Sequence, residues 1–268
     1  MKLATWNINS LTVRLPQVLD WLNAQKLAGA PIDALALQEL KLTDDKFPHD
    51  AFTEIGYRAE VFGQKTYNGV ALLTRLDAPS PPAEVVKNIP GFDDDLARVI
   101  TATLPSAHGP IRVIGGYFPN GQEPGSEKFE YKMEWLSALR SWVKTELAIH
   151  ERLVIMGDCN ITFDDADVWD PVALFETIHC TEEERYHLRA LIALGLSDAY
   201  RLFPQPPKSY SWWDYRNGGF RRNQGLRIDH ILVSQALKPL VTACAIDKTP
   251  RKNERPSDHA PVVVTLTG

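Results

Sequence analysis

Cysteine is scarce. Cys159, Cys180 and Cys244 are odd in number and widely spaced, which excludes a disulfide framework and a CxxC metal site and leaves reduced thiols. Long apolar runs are missing: none approaches the ~20 residues needed to cross a bilayer, so no membrane partner is expected. Met1–Asn7 lacks the apolar core of a signal peptide and reads as a first strand, giving a cytoplasmic protein as the expectation. Repeats, low-complexity tracts and Gly/Ser linkers are absent too. Prolines cluster only at Pro79–Pro82 and Pro204–Pro207, short enough for loops, so one domain over residues 1–268 and a monomer are expected. A basic surplus is also lacking. With 29 basic and 34 acidic residues the net charge is −5, so bulk attraction to nucleic acid is disfavoured and any such contact needs a local basic face.

What is present is 44% hydrophobic and 24% charged residues, ample for a core. Short Val/Ile/Leu/Thr-rich runs bounded by Gly, Pro, Asn or Asp predict strands at Leu3–Ile8, Ile32–Gln38, Gly69–Thr74, Val99–Leu104 and Ile111–Tyr117. Further runs lie at Leu153–Met156, Gly225–Val233 and Pro261–Leu266. Phe129, Met133, Leu136, Val143 and Leu147 recur at helical spacing; Arg14–Gln25 and Glu182–Leu194 read similarly, the last opened by Thr181 in capping-box form. The chain is mixed α/β. Residues 161–180, with Asp164, Asp165, Asp167 and Asp170, lack regular patterning and read either as a solvated acidic loop or as a functional one.

Polar residues sit where strands end, and in sheet folds such groups converge on sites. Asn7 and Asn9 end the first strand, Gln38 and Glu39 the second, and Tyr117 follows Ile111–Ile114. Asp158 and Asn160 follow Leu153–Gly157, Asp229 interrupts an apolar segment, and Ser257-Asp258-His259 precedes the last strand. Glu39 is a hard oxygen ligand suited to Mg²⁺ or Mn²⁺. Asp158 and Asn160, two apart on an extended strand, are expected on one face, one to activate a water and one to orient it. His259 is a candidate donor to a phosphate with Asp229 fixing its tautomer, and Tyr117 adds a hydroxyl. Singly, each has an ordinary reading as a turn or surface residue. Asp229 does not, because an unpaired buried carboxylate is costly.

At these residues the sequence resembles the exonuclease III family of bacterial apurinic/apyrimidinic (AP) endonucleases, within the endonuclease/exonuclease/phosphatase superfamily. The segments are Thr5–Ser10, Leu37–Lys41, Gly63–Ala71, Gly115–Gly121, Met156–Ile161, Ser211–Arg216, Gly225–Asp229 and Arg255–Pro261, spanning nearly the whole chain. The resemblance implies a four-layer αββα sandwich, two packed mixed β-sheets flanked by helices, with the site at one end. It implies metal positions at Glu39 and Asn7, with Asp158 and Asn160 beside them and Asp258 and His259 near a second proposed metal. It casts Tyr117, Asp158, Asn160, Asp229 and His259 as catalytic, with Mg²⁺ as cofactor and Mn²⁺ as substitute. The implied activity is incision 5′ to abasic sites in double-stranded DNA, with 3′-5′ exonuclease and 3′-phosphodiesterase/phosphatase action at 3′ ends.

Superfamily relatives also act on small and lipid phosphoesters, so a phosphatase of that kind is the alternative. Trp212-Trp213-Asp214-Tyr215-Arg216 leads into Arg221, Arg222 and Arg227, aromatics for a flipped sugar beside arginines for flanking phosphates. The resemblance adds Trp212, Leu226 and Ile228 as pocket lining and Lys65, Asn68, Arg98, Asn120 and Lys128 as backbone contacts. A second basic cluster, Lys248, Arg251, Lys252 and Arg255, precedes His259. The loop Asp165–Pro171 departs from the best-known pattern of the family, and loops here help set the balance among the activities.

Overall fold

The computed structural model describes residues 1–268. The first part of the chain forms β1 (Lys2–Asn7), α1 (Leu11–Leu27), β2 (Ala34–Gln38), α2 (His49–Glu54), β3 (Tyr57–Phe62) and β4 (Val70–Arg75). The middle forms β5 (Ala83–Lys87), β6 (Val99–Leu104), β7 (Ile111–Tyr117), α3 (Glu127–Ile149) and β8 (Leu153–Asp158). The last part forms α4 (Glu182–Ile192), β9 (Leu196–Asp198), β10 (Trp212–Trp213), α5 (Gly219–Arg222), β11 (Gly225–Leu226), β12 (Asp229–Ser234), β13 (Val241–Ile246) and β14 (Val262–Leu266).

One six-stranded sheet runs β13-β14-β1-β2-β4-β3 and the other β5-β6-β7-β8-β12-β9, each mixed, while β10 and β11 pair as a small ribbon. Alternation along each strand decides the layer a side chain enters. In β1, Leu3 faces the opposite sheet, whereas Ala4 and Trp6 face α1. In β2, Ala34 and Ala36 face the opposite sheet and Leu35 and Leu37 face the helices. In β8, Val154 and Met156 look into the gap, and Leu153 and Ile155 pack under α3 and α4. Three apolar layers result: helix on sheet, sheet on sheet and sheet on helix. This is the four-layer αββα sandwich.

The same alternation carries Thr5, Asn7 and Gln38, and Asp158 and Asp229 opposite them, to the rim of the gap between the sheets. Neighbouring strands are in register there, Asn7 beside Gln38 and Asp158 flanked by Tyr117 and Asp229. The sheets approach closely at this end. A Cβ at Gly115 would lie 3.1 Å from that of Ala36 across the gap.

Two expectations change. The segment Gly225–Val233 is two strands, because Arg227 and Ile228 carry the chain from the ribbon into the second sheet. The acidic segment from Ile161 to Cys180 is only partly solvated, and three of its aspartates are paired. Asp167 is buried against Arg227 at 2.7 Å, Asp164 pairs with Arg201 at 2.5 Å, and Asp165 pairs with Arg185 at 3.0 Å.

Candidate active site

Two buried carboxylates, one histidine and one glutamate meet at this rim. Asp158 and Asp229 are each 1% exposed and His259 4%. Such groups persist only when paired. Asp229 holds His259 Nδ1 at 2.9 and 3.1 Å, which turns Nε2 toward Asp158 Oδ2 at 3.7 Å. The backbone supports this: the Ser211 hydroxyl accepts from the Ile228 and Asp229 amides, and the His259 carbonyl accepts from the Trp6 indole at 3.2 Å. Burial alone would lower the His259 pKa; Asp229 and then Asp158 outweigh it and lift it to about 10. Asp158 is raised, chiefly by burial and then by Asp229 and Glu39, against the pull of His259.

Asn7 links the two sheets. Its amide donates to Glu39 Oε1 at 2.8 Å and to Asp158 Oδ2 at 2.9 Å, while its carbonyl oxygen accepts from the Asn9 amide. Glu39 lies one residue beyond β2 in a left-handed turn (φ 53°) and is held from outside by Lys41 at 3.0 Å. Atoms of Glu39, Asp158 and His259 lie within 4.8 Å of one another, a span one cation can fill. The Glu39 and Asp158 carboxylates are hard ligands that fit a small divalent ion, and the Asn7 amide nitrogen faces both of them. Tyr117 stands over the same point; burial, Glu39 and Asp158 push its hydroxyl well above the ordinary tyrosine range, so it is a donor.

Asp258 sits apart. Its carboxylate accepts from Asn9 Nδ2 and from the Trp212 indole, each at 3.0 Å. Asn160 reaches the site by a route other than the expected one. The strand stops at Asp158, and a left-handed turn (φ 50°) lets the Asn160 amide nitrogen donate to Asp158 Oδ1 at 2.9 Å. Its side chain donates one proton to the Phe118 carbonyl at 3.0 Å and accepts from Asn120 at 3.2 Å. The second amide proton is available.

Beside these groups opens a cleft of about 610 Å³ lined by Trp169, Leu174, His179, Trp212, Leu226 and Asn120 among others. Val168, Cys180, Leu226 and Ile228 form the small apolar cluster beneath Trp212 and Leu174. Another cavity, of about 320 Å³, opens near Thr74, Leu104 and Leu266 and contains none of these polar groups. Lys65, Lys128, Arg216, Arg221 and Arg222 are exposed, with Arg216 paired to Asp214 at 2.6 Å. Asn68 is buried against Gln64, and Arg98 lies under the Tyr117 ring, bonded to Tyr131 at 3.0 Å. Two arginines read as phosphate contacts are internal instead. Arg227 is 1% exposed between Asp167 and Asp198, and Arg251 packs on Phe220 and Trp213, because each has buried partners remote in sequence.

Lys41, Lys132 and Glu184 also support the site, through Glu39, Asn160 and Lys132 respectively, and the sequence patterning does not assign them to it. Lys132 carried a signal: it falls in phase with Phe129, Leu136 and Leu139 on the buried face of α3.

A family model described as endonuclease/exonuclease/phosphatase matches residues 4–259. The exodeoxyribonuclease III of Haemophilus influenzae is 36% identical over 271 residues, covering 98% of each chain. The structure of the 3′ phosphatase NExo from Neisseria bound to a product DNA hairpin superposes with a TM-score of 0.92 at 45% identity, over all of both chains. An AP endonuclease from Archaeoglobus fulgidus gives 0.90 at 33% identity, over 99% of each.

Proposed function

Since the chain belongs to the endonuclease/exonuclease/phosphatase family, we propose that its convergent rim hydrolyses the phosphodiester 5′ to abasic sites in duplex DNA and trims blocked 3′ ends. It is a hydrolase of the exodeoxyribonuclease III type, a DNA-repair nuclease with exonuclease and phosphatase activities. The observation that carries the assignment of roles is the line Asp229–His259–Asp158 facing Glu39 across the gap.

Glu39 and Asp158, assisted by Asn7, would hold Mg²⁺, with Mn²⁺ as substitute. When bound, the ion offsets charge on the phosphate and the leaving oxygen. Asp158, raised by burial toward neutrality, accepts a proton from the attacking water as that water closes on phosphorus in line with the 3′-oxygen. Asn160 presents its uncommitted amide proton to the same water or to a phosphate oxygen. The His259 imidazolium, fixed by Asp229, and the Tyr117 hydroxyl donate to the non-bridging oxygens, where charge builds in the transition state. The P–O3′ bond then breaks, the leaving 3′-oxygen takes a proton from solvent to give a 3′-hydroxyl beside a 5′-phosphate, and Asp158 returns its proton to solvent.

The cleft under Trp212 accommodates the abasic sugar or the terminal nucleotide, and exposed Lys65, Lys128, Arg216, Arg221 and Arg222 meet the flanking backbone. Arg98 and Asn68 act from beneath, by fixing Tyr117 and the loop before β4. Asp258 orients Trp212 through the indole N–H. The test compares end-labelled duplexes carrying an abasic analogue, a 3′-phosphate or a plain 3′-hydroxyl, with Mg²⁺ and with EDTA. Mg²⁺-dependent cleavage is expected. Release of phosphate from inositol polyphosphates with all three duplexes intact would select the small-substrate phosphatase instead.

A further inference from the structure

Lys132 has no exposed surface, and a buried ammonium is costly unless each of its three protons is placed. All three are placed. They go to the Asn160 carbonyl at 2.8 Å, the Asn120 carbonyl at 3.1 Å and Glu184 Oε1 at 2.5 Å. Two of the three thus hold the backbone of residues whose side chains bond each other beside Asp158.

Glu184 is itself fixed. It is the third residue of α4 and closes a capping box with Thr181, accepting from the Thr181 amide at 3.2 Å and its hydroxyl at 2.8 Å. Its other oxygen also accepts from the His179 amide, and His179 Nδ1 meets the Asn160 carbonyl at 2.7 Å. A capping box satisfies its own donors without a lysine. The ammonium therefore does something other than complete the cap. The Asn160 turn needs such support, because a left-handed residue without glycine's freedom persists only where its surroundings over-determine it.

We propose that Lys132, backed by Glu184, is a positioning residue for hydrolysis: it grips the Asn160 and Asn120 carbonyls and so sets the Asn160 amide and, through the Asn160 N–H, the Asp158 carboxylate. This rests on the roles given to Asp158 and Asn160 above. Lys132 touches neither substrate nor metal, so it acts on turnover and not on capture of DNA.

Lys132→Met alone would strand the Glu184 carboxylate, so the test variant is the paired change K132M/E184Q, in the full chain with Mg²⁺. Its kcat on the best-cleaved duplex is expected to fall about 10- to 100-fold, the usual effect of losing a group that orients a site residue, with KM changed less than about threefold. Asn160→Ala should cost at least about tenfold less in the paired variant than in the wild type, since the amide is already misplaced. Amide hydrogen exchange of the segment Asp158–Thr162 should quicken by about tenfold or more, with β1 and β2 unchanged. Full kcat, additive losses in the cycle, or unchanged exchange would each overturn the proposal. A wild-type chain that leaves every DNA duplex intact would overturn the proposed function, and exchange would still decide the role of Lys132.

Discussion

Replacing Asp229 by asparagine removes one charge from the centre of the site while keeping its shape. His259 is lifted from 6.5 to about 10, with Asp229 the largest attraction opposing burial. That rise corresponds to roughly 5 kcal/mol in favour of the imidazolium, drawn from Asp229, Asp158 and Asp258 together. The sign follows from the elevation: the cation is present below the folded pKa and lost as pH rises through it. In the wild type, the limb due to His259 should therefore lie well above pH 6.5. With Asp229→Asn, the acceptor that fixes Nδ1–H is weakened and the largest attraction opposing burial is gone, so the imidazole loses its proton at a lower pH than in the wild type. At pH 8 kcat/KM should fall by about 10³-fold or more, comparable with loss of the carboxylate partner in other histidine-based sites. Part of the loss should return as pH is lowered from 8 to 6. The assay is the pH profile of kcat/KM on a 3′-phosphate duplex at fixed Mg²⁺. Superimposable profiles for wild type and variant, or a variant retaining more than half of the activity at pH 8, would refute the reasoning.

Other consequences concern the metal, the loop and acid stability. EDTA should abolish cleavage and Mg²⁺ restore it, and Glu39→Ala should raise the Mg²⁺ concentration for half-activation by about 10- to 100-fold; an unchanged titration would remove Glu39 from the ligand set. Arg227→Met leaves Asp167 and Asp198 buried without their partner, costing about 3–5 kcal/mol and lowering Tm by roughly 10 °C, read by thermal unfolding; an unchanged Tm would show that Arg201 alone suffices. His230, held down to about 4 by burial and then Arg227, stays neutral in the folded chain. Its contribution is present above pH 6.5 and lost as pH falls from there to about 4, up to roughly 3 kcal/mol, so denaturant unfolding of a His230→Phe variant should show a flatter slope over that window.

Much of the site was legible because strand alternation is a strong signal. Leu3, Thr5 and Asn7 share one face of β1, and Val154, Met156 and Asp158 one face of β8, so an apolar run that ends in a carboxylate already points to the gap between the sheets. The strands that apolar patterning does not reveal are β3, β5 and β13, partly exposed edge strands, β9, an edge strand of only three residues, and β10, of two; Ala83–Lys87 has no buried residue to betray it. The extended geometry expected at Asn160 gives way to a left-handed turn, because a left-handed asparagine is invisible in a pattern of apolar residues. Arg227 and Arg251 looked like a DNA face because composition near a motif says nothing of partners 29 to 60 residues away, such as Asp198 and Asp167. Lys132 shows the reverse. A lysine in phase with an apolar stripe is a buried charge, and its acceptors are worth seeking.

The claim that the rim between the sheets performs phosphoester hydrolysis turns on Asp158, which contacts Asn7 and Asn160 and faces His259. Asp158→Asn preserves shape and removes the proton acceptor. Single-turnover cleavage of an abasic-analogue duplex should drop by about 10³-fold or more while duplex affinity stays within about threefold of wild type. A variant that cleaves at the wild-type rate would contradict the account.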